Sequence, residues 1–353
     1  MILRVVLLLT IFVQTAFSAN SSLPDEYVKL TEDSRVVLPM DLFLKENFIS
    51  QWWYITGHLE TEKKEKFGYE LTFFAVNVNK HHFKSSFGLN RFYISHFAIT
   101  DIDNNKYYFF EDISRGAYGE AGALTAMLNV FVFDDVLTGD MNRLYLKAED
   151  IDVEMELFLT LTKPPVLHGA EGYSNKVYGC SECASLYFSF TNLATEGVIK
   201  IGNKKYKVTG KSWFDREINS DYDASVVKGW DWFAIMFDDN TEVMIYRIRD
   251  KDGKIDKSSY AVFIDENGEK EALNFDEISF QILDYYVSKK SNAKYPVSFR
   301  IKIPAKGVDI VISPYVRDQE FVGKSTTLNS YWEGACKVSG THSGKAYMEL
   351  TGY

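Results

Sequence analysis

Five consecutive residues, Trp213-Phe214-Asp215-Arg216-Glu217, bring together side chains able to do acid–base chemistry. On a strand, Trp213, Asp215 and Glu217 share one face, and Phe214 and Arg216 share the other. Two carboxyls beside an indole on an inward face are partly desolvated. Burial and mutual repulsion raise the pKa of one of them and leave a proton donor near neutral pH. Such an acid in an aromatic cavity can protonate an alkene or a carbonyl. If the chain is an enzyme, Asp215 is the expected proton donor, with Glu217 setting its pKa. The structural alternative is an ion pair with Arg216 or Arg247 that pins two parts of the chain together.

Further candidates follow from the same alternation. In Glu242 to Arg249, Met244 and Tyr246 point one way, and Arg247 and Arg249 point the other. Tyr246 can then bond a ligand oxygen or sit bonded in the core. Tyr331 and Glu333 share a face. Trp52, Trp53, Trp230 and Trp232 make either a ligand-binding wall or plain core. His96 is either a cavity acid or base or a satisfied core histidine. The candidate catalytic residues are thus Asp215, Glu217, Tyr246 and His96, the last two positioning water or a ligand oxygen. The candidate ligand-binding residues are Trp53, Tyr54, Trp213, Trp230, Trp232, Arg247, Tyr331 and Glu333. Among them, Trp53, Trp213 and Trp232 are expected to stabilise cationic character.

The remaining reactive side chains exclude more than they suggest. His58, His81, His82, His96, His168 and His342 show no metal-ligand spacing. No Gly-rich phosphate loop and no Gly-x-Ser-x-Gly elbow occurs, so neither a metal nor a cofactor is expected. Cys180 and Cys183 form one Cys-x-x-Cys with no second pair or histidine at zinc spacing. In an exported chain the pair is expected to be a local disulfide. Cys336 is read as a buried thiol.

Export itself is read from the first residues. Met1 to Arg4 make a short basic start, Val5 to Val13 are apolar except Thr10, and Ala16 to Ala19 are small apart from Phe17. This is the layout of a secretory signal peptide over residues 1–19. The apolar run is too short for a comfortable membrane span, and no later segment is long enough. The mature protein is expected to be secreted or periplasmic. The full chain's 39 Lys and Arg against 49 Asp and Glu give a net charge of −10. Such a surface repels nucleic acid and anionic membranes.

The elements that must position these residues read as strands. Aromatic residues make up 15% of the chain, and aromatics favour strands. Short alternating runs recur with turns at Asp103-Asn104-Asn105, Gly202-Asn203, Asp238-Asp239-Asn240 and Asp250 to Gly253. Only stretches such as Asp140 to Ala148 suggest short helices. Many strands with tight turns predict an all-β meander that closes on itself. Aromatics on the inward face of such a barrel would enclose an apolar cavity. Gln51-Trp52-Trp53-Tyr54 and Gly229-Trp230-Asp231-Trp232-Phe233 open similar hairpins about half a chain apart. They fit two related barrels, or coincidentally aromatic strands.

A longer set of motifs carries a family resemblance. QWWYITGHL (51–59), FGYELTFF (67–74), SHFAITD (95–101), KPPVLHGAEGYSNK (163–176), ASLYFSFTNL (184–193), GKSWFDRE (210–217), GWDWFAIMFDDNTEVMIYRIR (229–249) and the closing YWEGACKVSGTHSGKAYMELTGY (331–353) occur in this order. The chain resembles the AttH-like, carotenoid hydratase (CrtC-type) lipocalin-like family over nearly its whole mature length. The resemblance implies two tandem lipocalin-like antiparallel β-barrels, over residues 20–222 and 223–353, with a hydrophobic pocket in and between them. Enzymes of this family act on large apolar molecules; some hydrate an isoprenoid double bond or an isoflavonoid side chain. The chain departs from the family at Gln51, where Glu is usual, at Ile218-Asn219 in place of Trp-Gly, and at His168 in place of Gln. Tyr246-Arg247-Ile248 lacks the aspartate that the carotenoid hydratases carry near a tyrosine.

The function expected is binding of a bulky hydrophobic ligand, an isoprenoid, lipid or polyketide-like molecule, with hydration of a C=C bond. The rival is a non-catalytic carrier of hydrophobic molecules, with an export or transport system as the partner it would serve. A third reading is a structural secreted protein with a filled cavity.

Overall fold

A computed structural model describes residues 27–78, 89–222, 224–327 and 329–353. The expected signal peptide, and His81 and His82, lie outside the described residues. Short-period alternation and turn chemistry resolve into two antiparallel sheets. The first contains β1 (Ser50–Thr61), β2 (Lys66–Asn77), β3 (Arg91–Asp101), β4 (Lys106–Ser114), β5 (Ala121–Ala123), β6 (Leu128–Val132), β7 (Asp135–Gly139), β8 (Arg143–Asp150), β9 (Val153–Leu161), β10 (Val166–Leu167), β11 (Tyr173–Asn175), β12 (Ala184–Ile201) and β13 (Lys204–Asn219). The second contains β14 (Val227–Phe237), β15 (Glu242–Asp250), β16 (Tyr260–Ile264), β17 (Lys270–Leu273), β18 (Ser279–Val287), β19 (Lys294–Ile303), β20 (Val308–Pro314), β21 (Glu320–Val322), β22 (Ser330–Gly340) and β23 (Gly344–Thr351). Among the described residues the only helices are single 3-10 turns.

The first sheet curls into a nearly closed barrel and the second into a half-barrel. In the first, β2, β3 and β4 reach β6 across the mouth. The helix suggested over Asp140 to Ala148 is instead a turn leading into β8. Leu144, Leu146 and Ala148 enter the core while Arg143, Tyr145 and Lys147 face outward, a period of two that no helix has. β1 and β14 hold matching places in their sheets. Each pairs with the strand that follows it and with the last strand of its own sheet.

The two sheets pack face to face, so their contacting strands are buried on both sides. Along β1, Trp53, Ile55 and Leu59 enter the first core, while Tyr54 joins a third cluster between the sheets. Along β14, Phe233, Ile235 and Phe237 enter the second core, while Trp232, Ala234 and Met236 join the cluster in between. This two-sided burial explains why these strands read as almost unbroken buried runs. The sheets touch where both carry small residues. A β-carbon on Gly68 would lie 2.5 Å from that of Ala335 on β22. Polar pins cross the gap as well. Lys163 Nζ donates to Glu242 at 2.7 Å with both side chains buried, and Thr100 Oγ1 donates to Gln319 Oε1 at 2.7 Å.

Arg216 shows what the other face of β13 does. It is fully buried and donates to five neutral oxygens, including the carbonyls of Asp41 and Phe43 and Gln51 Oε1 at 2.7 Å. Its guanidinium lies 4.0 Å over the Trp53 ring. Arg216 therefore fastens the segment before β1 across the barrel end, and burial lowers its pKa to about 9. Gln51, at the position where the family usually has Glu, also donates to Lys45 O at 2.7 Å, which a carboxylate cannot do.

Candidate functional site

A cavity of about 840 Å³ lies between the two sheets. The place agrees with the pocket that the resemblance implies between the barrels, and differs from a cavity enclosed by the inward face of one barrel. Most of the side chains that line it point out of each barrel's own core and into the gap, whereas Tyr295 reaches it from the second core. β1, β2, β3 and β13 supply one wall, and β14, β15, β22 and β23 supply the other. Trp52, Tyr54, Trp230, Trp232, Tyr246 and Tyr331 give it aromatic faces. Tyr54 and Trp232 meet edge to face at 5.2 Å, one from each sheet.

Asp215 and Glu217 both face this cavity, as alternation on β13 predicts. Asp215 is held by three donors. Tyr187 OH reaches Oδ2 at 2.5 Å, Trp213 Nε1 reaches Oδ1 at 2.6 Å, and Ser189 Oγ also donates to Oδ1. The donors form a relay, because Trp232 Nε1 donates to Tyr187 at 3.0 Å and His168 Nε2 meets Ser189 at 2.6 Å. Burial holds His168 far below the usual range, so its neutral ring donates through Nε2. Burial raises Asp215 to about 7 against the pull of these hydrogen bonds. Glu217 contributes least to that shift, which corrects the role expected for it.

Glu217 is occupied elsewhere. Lys176 Nζ pairs with it at 2.6 Å, and Ser185 Oγ donates at 2.6 Å. Neither arginine suggested as an ion-pair partner takes part. Arg216 points into the barrel, and Arg247 pairs with Asp231 at 2.5 Å outside the cavity lining. Lys176 is buried, with its ammonium 4.5 Å from the Tyr246 ring centre and 4.9 Å from that of Tyr187. Burial lowers its pKa while Glu217 raises it, and burial wins. The segment after β11 positions Lys176. Its backbone N–H donates to Cys183 O at 2.7 Å, and Asn175 Nδ2 donates to Cys180 O at 2.7 Å. Cys180 and Cys183 are joined in a disulfide, and Cys336 is a buried free thiol.

On the opposite wall, the Tyr54 hydroxyl donates to Glu333, and Glu349 accepts from Trp230. Burial, with Glu349 and Glu70 nearby, holds Glu333 well above the usual carboxyl range. Burial puts Glu349 at about 7. His96 lines the cavity as a neutral ring, lowered to about 3 by burial, with Tyr331 OH at 2.7 Å and Thr326 Oγ1 at 2.9 Å.

Of the residues singled out from sequence, Asp215, Glu217, Tyr246, His96, Tyr54, Trp230, Trp232, Tyr331 and Glu333 come together around the cavity. Trp53, Trp213 and Arg247 do not line it. Trp53 is one residue out of phase, so it enters the first barrel and donates to Leu42 O at 2.8 Å. Trp213 lies behind Asp215 as its donor. Sequence reasoning passed over Lys176, Tyr187, Ser189 and Glu349. Glu349 was within reach, since Tyr347 and Glu349 alternate on the same face as Glu333. Among the described residues, no three His, Cys, Asp or Glu side chains are placed to hold a metal ion. No helix among them is long and apolar enough to cross a membrane.

Two curled antiparallel sheets in tandem, with an aromatic and acidic cavity between them, define a double lipocalin-like protein. The chain belongs to the AttH-like family, whose model matches residues 29–353. An AttH protein of Nitrosomonas europaea has 30% identity and a TM-score of 0.83, covering 92% of this chain and 99% of its own. Kievitone hydratase from Nectria haematococca shares the fold at 17% identity and a TM-score of 0.71, covering 93% of this chain and 97% of its own. CghA, solved with Sch210972, shares it at 8% identity and a TM-score of 0.55, with coverage of 93% and 97%. No protein of curated function matches the chain in sequence.

Proposed function

We propose that this chain is an exported protein that binds one bulky apolar molecule between its two sheets and hydrates a C=C bond in it. A carboxyl of the cavity wall supplies the proton. The cavity carries this reading. Its volume of about 840 Å³ falls in the range of sites for bulky small molecules. Its wall combines aromatic faces, which favour developing positive charge, with carboxyls that burial raises to about 7, where they exchange a proton near neutral pH. The fold is shared with a protein named a hydratase, which supports addition of water as the reaction class. The signal-like first residues support export.

A carrier role is the second reading, and one observation favours it. Every oxygen of Asp215 already accepts a hydrogen bond, and Glu217 is tied to Lys176, so both can serve structure alone. The two readings part in an organic extract of the protein purified from its own host. Mass spectrometry of a bound apolar compound, followed by incubation in heavy-oxygen water, gives one labelled water per molecule if the protein hydrates it. A compound that stays bound and unlabelled overturns hydration in favour of carriage.

A further inference from the structure

Glu333 on β22 and Glu349 on β23 are direct cross-strand partners, and both line the cavity. Directly opposite residues turn to the same side of a sheet, with β-carbons about 5 Å apart. The two carboxyls have few donors, the Tyr54 hydroxyl for one and the Trp230 indole for the other. Lys176, the buried cation of the cavity, is committed to Glu217. The titratable groups that face the pair are Glu70 from β2 and Asp215 and Glu217 from β13. The phenols of Tyr54, Tyr246, Tyr331, Tyr347 and, from β4, Tyr107 complete its surroundings. All are acids or phenols.

Unpartnered polar atoms sit beside the pair. Glu70 is completely buried with its Oε2 unbonded, and the buried Tyr347 hydroxyl is also without a partner. Two carboxylates in such a wall cannot both ionise at low cost, so at least one proton stays on the pair near neutral pH. Asp215 differs. Three donors hold its two oxygens, and a proton given or taken there disturbs the relay through Tyr187 and Ser189.

We propose that Glu333 and Glu349, rather than Asp215, are the proton-holding pair of the cavity: the pair gives its proton to the apolar ligand, and the carboxylate left behind holds the cation so formed. This rests on the hydration reading above. In the step, an O–H bond of the pair breaks, and the electrons of the ligand's π bond form the new C–H bond. The other alkene carbon becomes the cation, with Trp232, the cross-strand partner of Glu349, and Tyr54 beside it. A water lone pair then forms the C–O bond, and the surplus proton of that water returns to the pair. The net change is one water added. The same pair should bind a stable organic cation of apolar shape.

The test loads the protein with the neutral fluorophore N-phenylnaphthylamine and displaces it with decyltrimethylammonium or with decanol, from about pH 5 to about pH 8. The cation should bind more tightly as pH rises, by up to about tenfold per pH unit while binding expels one proton. Decanol should show no such trend. Glu333→Gln and Glu349→Gln should each weaken the cation about tenfold, flatten its pH dependence and leave decanol unchanged. Asp215→Asn should keep the preference for the cation. Proton release from the wild type on adding decyltrimethylammonium, read by pH-stat, gives the answer even if a Gln variant does not fold. Equal, pH-independent binding of cation and alcohol without proton release overturns the proposal. So does a preference that survives both Gln variants and disappears in Asp215→Asn. A fluorophore that never enters the wild type refutes the apolar cavity reading itself, and this pair with it.

Discussion

Lys176→Met removes the buried cation of the site while keeping an unbranched side chain of most of its length. In the wild type, Lys176 and Glu217 meet at 2.6 Å with side-chain exposures of 3% and 6%. The variant leaves Glu217 with the Ser185 hydroxyl at 2.6 Å and no cation beside it. Removing one member of a buried pair costs about 3–5 kcal/mol, because the other charge stays desolvated. Loss of the ammonium over Tyr187 and Tyr246 adds about 1 kcal/mol, and replacing it with an apolar thioether recovers a similar amount. The expected loss is therefore about 3–5 kcal/mol at about pH 8, shrinking toward about pH 5 where a carboxyl can accept a proton. Urea unfolding followed by tryptophan fluorescence reads it as a lower midpoint at unchanged slope. Lys176→Met combined with Glu217→Gln should regain most of the loss, since no uncompensated charge remains. A loss under about 1 kcal/mol, or a double variant less stable than the single one, would show that water screens the pair and that the wall is not dry.

Other consequences follow from the same groups. His58 and His96 are held at about 3, and His168 lower than usual, all by burial, so the folded state binds fewer protons than the unfolded state below about pH 6.5 and stability falls as pH drops. Asp215 and Glu349 at about 7 and Glu70 at about 8, again by burial, make the folded state bind more protons above about pH 4.5, so they remove stability as pH rises. Asp135, also at about 7, and Glu333, raised further, act in the same direction, so five acids outweigh three histidines; melting temperature should fall as pH rises from about pH 4.5 to about pH 8 and fall again below about pH 4.5, and a continued rise up to about pH 8 would contradict this. Arg216→Met removes five hydrogen bonds, three of them buried, and should cost at least about 3 kcal/mol, with proteolysis beginning in the segment before β1; wild-type resistance would remove its fastening role. Replacing both Cys180 and Cys183 by Ser opens only a short loop and should cost about 2 kcal/mol or less, yet loosen ligand binding through Lys176; unchanged binding would separate the disulfide from the site.

Much of the fold was legible because strands announce themselves by alternation and turns. The face shared by Trp213, Asp215 and Glu217 could be read from five letters. What alternation cannot say is which face meets which core. Trp52 and Trp53 are equally aromatic, yet one lines the cavity and the other packs under Arg216. The cavity unites residues as distant as Tyr54 and Glu333, so it arises from how two sheets dock, which no local pattern records. Lys176 was hidden for a related reason. A lysine before a Cys-x-x-Cys reads as a solvated loop residue, and it is enclosed only where Glu217 and Tyr187 of the first sheet meet Tyr246 of the second. Asp140 to Ala148 was misread because its charged outward residues imitate a helix face over so short a span.

The central claim is that the space between the sheets holds one apolar molecule. Titrating wild type and Val227→Trp with N-phenylnaphthylamine tests it most directly, since Val227 lines the cavity and an indole there takes up part of its space. The account predicts a single saturable site in the wild type that is weakened in the variant, with the melting temperature held. Undiminished binding in a folded Val227→Trp would contradict it, because the fluorophore would then be bound somewhere other than between the sheets.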